Sequence, residues 1–218
     1  MNRLPFFISL LLLTIIGVSV AGCSAPPQGS AEWYFAQAYK QSLRGEYQLA
    51  IDNYTEAIAV EPNLAKLYVN RAAAYTSLKK YDEVIADCTK AIELDPKLSL
   101  AYINRAFAYN STGQYDLAIV DSDKAIELGK NKPEAYVNRA YSYMQLKDFS
   151  KAIGDCTEAI ELNPSMAQAY FQRAYIYKAL DKTTEAIADF QKFIGLSKDQ
   201  ALIATANQEI AQMSSSTP

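Results

Sequence analysis

Histidine is absent from the 218-residue chain. With it go the commonest general base, the commonest metal ligand and every Ser–His or Cys–His nucleophile pair. Glycine and proline number only 8 each, and no glycine-rich stretch of the kind that cradles phosphate occurs. Cysteine is limited to Cys23, Cys88 and Cys156. Cys88 and Cys156 hold the same position two repeats apart, and stacked helices lie about 8–10 Å from one another. A disulfide needs Cα atoms within about 7 Å, so both are expected to be buried, reduced thiols. No third ligand accompanies them to make a metal site. The net charge of −3 argues against nucleic acid or a polybasic membrane contact. The carboxylates fall mostly at solvent-facing helical positions. No catalytic constellation, cofactor or metal is therefore expected, and the chain reads as a non-enzyme.

What the chain does have is a period. Tyr34, Tyr68, Tyr102, Tyr136 and Tyr170 are 34 residues apart, and so are Ala38, Ala72, Ala106, Ala140 and Ala174. Ile51, Ile85, Ile119, Ile153 and Ile187 keep the same step. A fixed period in this range marks a stacked repeat array. In the second copy Tyr68, Ala72 and Tyr75 lie at i, i+4 and i+7, predicting a first helix over Lys66–Leu78. Val84, Ile85, Cys88, Ala91 and Ile92 predict a second over Tyr81–Leu94, stopped by Pro96. Gly45 and Gly113 fall at the turn between the two helices, where a left-handed residue ends a helix cheaply.

This pattern resembles the tetratricopeptide repeat, over residues 31–198. The resemblance implies an all-α fold, an α-solenoid of five helix-turn-helix units forming a right-handed superhelix. The units are 31–64, 65–98, 99–132, 133–166 and 167–198. The repeated alanine suits close approach of the two helices, where a larger side chain would overpack. The third unit lacks a closing proline, since Gly129-Lys130 ends its helix and Pro133 opens the next. The fifth has Thr183 and Phe193 where earlier units have an aromatic ring and alanine, as a terminal repeat can. A capping helix is expected over 199–213, opened by a Ser197-x-x-Gln200 capping box, with a frayed tail at 214–218.

Two columns carry the functional expectation. The residue two after each repeated tyrosine is Asn70, Asn104, Asn138 and then Gln172, with Ala36 in the first unit. The resemblance places this column in a concave groove that holds an extended peptide by its backbone. An amide both donates and accepts, so it can pair with any peptide unit. Phe35, Tyr39, Val69, Ile103, Phe107, Val137, Tyr141, Phe171 and Tyr175 would line the same groove, giving contact area at small entropy cost. The alternative is that the amides merely solvate the groove or tie adjacent helices. The second column pairs Arg71, Arg105, Arg139 and Arg173 with Asp87, Asp121, Asp155 and Asp189, while the first unit has Gln37 and Asn53. Both charges are present or both absent, which points to a partly buried ion pair within each repeat that sets helix register. A clamp for a free C-terminal carboxylate, known from some members of the resembled family, is not expected. Only Asn70 matches it, and Phe35, Tyr39, Leu100 and Asn104 occupy its other places.

The first 22 residues add an address. Arg3 precedes an apolar run from Pro5 to Val20, followed by Val20-Ala21-Gly22-Cys23. Small residues before a cleavage point mark a signal peptide. The tetrad resembles the lipobox of bacterial lipoproteins, which implies cleavage after residue 22 and acylation of Cys23. An uncleaved membrane anchor is the alternative, because the run approaches the ~17 residues that can span. Residues 23–30 then form a Pro/Gly/Ser linker reaching roughly 25 Å, so the array sits near the membrane on its extracytoplasmic side. The expected function is a lipid-anchored scaffold of a bacterial envelope that binds a protein or peptide segment. The rival expectation is a structural subunit of an envelope assembly or transport complex that oligomerises through its convex face or cap.

Overall fold

The computed structural model describes residues 26–215. The leader, Cys23, the start of the linker and residues 216–218 of the tail lie outside the described residues. Eleven helices and no strand occur among the described residues. They are α1 (Ala31–Leu43), α2 (Tyr47–Val60), α3 (Ala65–Ser77), α4 (Tyr81–Leu94), α5 (Ser99–Thr112) and α6 (Tyr115–Leu128). There follow α7 (Pro133–Gln145), α8 (Phe149–Leu162), α9 (Ala167–Ala179), α10 (Thr183–Leu196) and α11 (Gln200–Ser215). The first ten are five tandem pairs, one pair per 34-residue period. The chain divides into two units, one ending at Thr112 and the other beginning at Gly113. The first holds α1–α5 and the second α6–α11. No helix among the described residues is long and apolar enough to cross a membrane.

Within a pair, the small side chains do the packing. Ala38, Ala72, Ala106, Ala140 and Ala174 are fully buried. So are Ala50, Ala118, Ala152 and Ala186 on the second helices. In the pairs that lie within one unit, methyl groups on both sides of the contact let the helix axes come close. In the first unit Ala72 packs with Val84, Cys88 and Ala108, and Ala38 packs with Ala50, Ile51, Tyr54 and Ala74. In the second, Tyr136 and Val137 pack with Ala159 and Ala169. The phenols of the tyrosine column reach back six residues. The Tyr68, Tyr102 and Tyr170 hydroxyls donate to the carbonyls of Pro62, Pro96 and Pro164 at 2.8, 3.2 and 3.3 Å. They tie the loop between repeats to the helix that follows it. In the fourth repeat Pro133 instead enters at the first turn of α7, where its missing N–H costs nothing.

The turns inside the pairs share one backbone device. Gly45 and Gly113 have φ of 77° and 84°, and Lys79, Lys147 and Asp181 have φ of 58°, 64° and 56°. All five hold the same position in the period. The following N–H reaches back five residues, as in Glu46 to Gln41, Lys80 to Tyr75, Asp148 to Tyr143 and Lys182 to Tyr177, at 2.9–3.0 Å. This is the left-handed helix stop that satisfies orphan carbonyls. Glycine marks it at two turns only, so the other three were not legible from residue type. The last helix also departs from expectation. Its cap is Asp199, whose Oδ1 accepts from the Ala201 and Leu202 N–H groups at 3.0 and 3.2 Å. Ser197 Oγ accepts from Asp199 N at 3.1 Å, one step before the helix. The carboxylate outcompetes the hydroxyl for the first turn because it also favours the positive end of the helix dipole. α11 runs to Ser215, two residues past the expected 213.

Candidate functional site

Arginine organises one side of every repeat after the first. In the first unit Arg71 Nε and Nη2 donate to Asp87 Oδ2 and Oδ1 at 2.8 and 2.7 Å. In the second, Arg139 holds Asp155 at 2.8 and 2.6 Å, and Arg173 holds Asp189 at 2.7 and 3.0 Å. Each is a fork-on-fork contact between the two helices of one pair, the geometry guanidinium favours. The free edge of the guanidinium reaches a third helix. Arg71, Arg105 and Arg173 Nη1 donate to Thr55, Thr89 and Thr157 Oγ1 at 3.0, 2.9 and 3.0 Å. Thr55 and Thr157 themselves donate to the Ile51 and Ile153 carbonyls at 2.8 Å, leaving their lone pairs for arginine. Asp123 takes the threonine's place and accepts from Arg139 at 2.5 Å. Tyrosine rings three before and four after also flank the cation. Arg71 lies 5.7 Å from the Tyr68 ring centre and 5.9 Å from that of Tyr75. Asp87 holds Arg71 protonated, and burial pushes the Asp155 carboxyl up. Asp121 is buried on α6. Composition alone missed the third partner, although Thr55, Thr89, Asp123 and Thr157 keep the 34-residue step. In the first repeat, before which no helix occurs among the described residues, Asn53 Nδ2 donates to Gln41 Oε1 at 2.9 Å, rather than to Gln37.

The amide column lies on the first helix of each pair, with different degrees of access. Asn70 and Asn104, on α3 and α5 of the first unit, are half-buried. Asn70 Nδ2 donates to the Lys66 carbonyl at 2.7 Å. Asn138 and Gln172, on α7 and α9 of the second unit, are only 5% and 6% exposed. Cys156 Sγ donates to Gln172 Oε1 across 4.0 Å. The expected lining needs correction. Val69, Ile103, Val137, Tyr141 and Phe171 are buried in the core. They point between helices because a stripe of 34-residue periodicity includes the packing side of the first helix as well as its open side. Phe35, Tyr39, Phe107 and Tyr175 keep partial exposure. Phe35 stacks on Tyr39 at 6.5 Å with the rings 16° apart, and Lys66 Nζ lies 5.8 Å over Phe35. Phe107 leans on Tyr81 at 6.2 Å. Tyr175 donates to Glu209 Oε1 of α11 at 3.3 Å, and Lys178 ion-pairs with the same carboxylate. The capping helix thus covers part of the stripe on α9, a contact the repeat pattern did not foretell because α11 is not a full repeat.

Neither cysteine is poised for chemistry. Cys88 and Cys156 are fully buried and free of disulfides, and burial pushes the Cys156 thiol well above its ordinary range. Among the described residues no three cysteine or carboxylate side chains are grouped as metal ligands would be.

Profiles of the tetratricopeptide repeat match residues 65–98 and 133–166, 88–120 and 167–200, more than half of the chain. The chain belongs to the tetratricopeptide repeat family. Such repeats are protein-interaction modules, and this chain is a protein-binding repeat protein in that sense. A 68-residue stretch is 41% identical to the small glutamine-rich tetratricopeptide repeat-containing protein 2 of Saccharomyces cerevisiae. That match covers 31% of this tetratricopeptide chain but only 20% of the yeast relative. Among solved structures, a chain of the APC/C hetero-tetramer Cut9–Hcn1 superposes with a TM-score of 0.78 at 17% identity, over 85% of this chain and 36% of that one. YrrB, described as a TPR protein with an unusual peptide-binding site, gives 0.60 at 20% identity, over 82% and 92%. At these identities the likeness is one of fold.

Proposed function

We propose that the chain is a non-enzymatic scaffold of a bacterial envelope. It is anchored by a lipidated Cys23 and holds an extended protein or peptide segment along the amide-bearing face of its first helices. The observation that carries the reading is the amide column at Asn70, Asn104, Asn138 and Gln172, repeated at a fixed step on equivalent helices. Side-chain amides at regular intervals suit a ligand whose own donors and acceptors recur regularly, which is the backbone of an extended chain. The description of YrrB, which shares the fold, supports a peptide ligand. Anchoring rests on the Val20-Ala21-Gly22-Cys23 tetrad behind an apolar run. Two or more acyl chains there would hold the array at an extracytoplasmic membrane face.

Two experiments test the two halves. Cys23→Ser should give an unprocessed or soluble protein on membrane fractionation; normal processing and full membrane recovery would end the lipoprotein reading. Crosslinked membranes should yield a partner with the wild type that is lost when Asn70, Asn104 and Asn138 are all changed to alanine. Recovery of the same proteins from both would place the partner away from the amides.

A further inference from the structure

We propose that the outer stripe of α1 docks on a bilayer surface that carries anionic phospholipid. The inference rests on the lipid anchor proposed above and assigns the face that the anchor turns to the membrane. In the later first helices the third and tenth positions are closed over. They are Leu67 and Ala74 in α3, Ala101 and Ala108 in α5, Ala135 and Ser142 in α7, and Ala169 and Ile176 in α9, and all are at most 2% exposed. Ala74, for one, packs with Ala50 and Tyr54 of the helix before it. No helix precedes α1 among the described residues. There the same two positions hold Trp33, half-buried, and Lys40, exposed. Gln37 and exposed Arg44 complete one stripe with them at i, i+4, i+7 and i+11. A terminal repeat keeps its outer face polar for solubility, and solubility alone would not place an indole there. An apolar ring body with one N–H suits the headgroup boundary of a membrane. The stripe holds no acid, although Glu32 and Glu46 flank its two ends. Neither Lys40 nor Arg44 is ion-paired among the described residues.

The tether selects the occupant. Ser30 N donates to the Pro27 carbonyl at 3.1 Å, and Gly29 has φ of 85°. The last four residues of the linker therefore form a turn whose third residue needs left-handed backbone. Ser30 then caps α1, its Oγ accepting from Trp33 N at 3.2 Å. Only the chain from Cys23 to Pro26 is left to reach the membrane, a span of at most about 10 Å. With Cys23 acylated, the start of α1 is held at the bilayer surface, and Trp33 lies in its first turn. Lys40 and Arg44 follow on the same side, Arg44 about 16 Å further along the axis. Two cations would not bind a free protein to a membrane, but the tether makes the contact intramolecular. Their charge then decides which way α1 faces, because the potential of an anionic leaflet attracts lysine and arginine within a Debye length.

Trp33 is the single tryptophan of the chain, so its fluorescence reports the contact directly. The full chain is purified from membranes in detergent, and the mass of its N-terminal peptide is read for acyl groups on Cys23. It is then reconstituted into phosphatidylcholine vesicles with and without phosphatidylglycerol, each carrying lipid brominated near the headgroup end of its acyl chains. Trp33 emission should shift to the blue and be quenched in the anionic vesicles, and much less in the neutral ones or in high salt. Lys40→Gln with Arg44→Gln should lower the quenching by at least about half, with an unchanged helical circular dichroism spectrum. Lys192→Gln with Lys198→Gln, exposed cations of the second unit, should leave the quenching as it is. Acylated protein whose Trp33 is unquenched, or is quenched equally in neutral vesicles or without Lys40 and Arg44, overturns this proposal and leaves the anchor standing. A Cys23 without acyl groups overturns both.

Discussion

Replacing Asp87 with leucine removes both acceptors of the Arg71 fork and strands its cation between α3 and α4. The two side chains are only 16% and 8% exposed, so water replaces the lost bonds poorly. Breaking one side of such a pair costs about 3 kcal/mol, because a charge is left buried and unpaired. Arg71→Leu should cost a similar amount by stranding the carboxylate. The double variant removes both charges and should lie within about 1 kcal/mol of wild type, since the isolated worth of a buried pair is small. The coupling free energy is then about 5–6 kcal/mol in magnitude. Urea unfolding followed by helical circular dichroism measures it. The exposed Lys90–Glu93 pair, 47% and 59% exposed, is the internal control, and Glu93→Gln should change stability by less than about 0.5 kcal/mol. Arg71 and Asp87 effects that simply add, to within about 0.5 kcal/mol, would refute the argument that the pair acts as one buried unit. Thr55→Val extends the test to the preceding repeat. It should cost about 1 kcal/mol, and nothing further once Arg71 is leucine.

Three more outcomes follow from particular atoms. Lys79→Gly and Lys147→Gly relieve a side chain in left-handed backbone and should each stabilise by up to about 1 kcal/mol, whereas Gly45→Ala should destabilise although no atom lies within 4 Å of the added methyl; unfolding midpoints that move the other way would refute the strain assignment. Ser122 is fully buried on α6 and its hydroxyl has no partner among the described residues, so Ser122→Ala should be neutral or stabilising by about 1 kcal/mol, and a clear loss of stability would show a hidden bond. Burial pushes the Tyr54 phenol up to about 12 from 10.0. The unfolded chain releases that proton first, so this contribution to stability is complete below pH 10 and is lost as pH rises toward about 12. Tyr54→Phe should flatten the alkaline limb of the stability profile, and an unchanged limb would exclude Tyr54 as its source.

The array itself was legible because its period is written in residue types that packing requires. Ala72 and its equivalents must be small where two helices touch, and Tyr68, Tyr102 and Tyr170 must reach the proline carbonyl six residues back. These demands act on single positions, so they recur at the step of the repeat. The Arg71–Asp87 column was visible for the same reason, as two residue types that appear and vanish together. Its third partner was not, because Thr55 is one residue type among several that can accept from an arginine edge, and Asp123 replaces it once.

Accessibility had to wait for the tertiary structure. Asn70 and Asn138 stand at the same place in the period and differ in exposure, because burial depends on what neighbouring helices place over each amide and not on its own identity. Val69 and Phe171 fell into the expected lining through the resemblance, and packing turned them inward. The left-handed turn at Lys79, Lys147 and Asp181 was likewise hidden, since the tertiary fold imposes a backbone angle that lysine and aspartate do not advertise. The sequence by itself determined the class of fold, the helix pairs and the columns that bind them, because those depend on local periodicity and single-residue size. Only the tertiary structure decided which column members remain open to a ligand, because exposure is a property of the assembled neighbours.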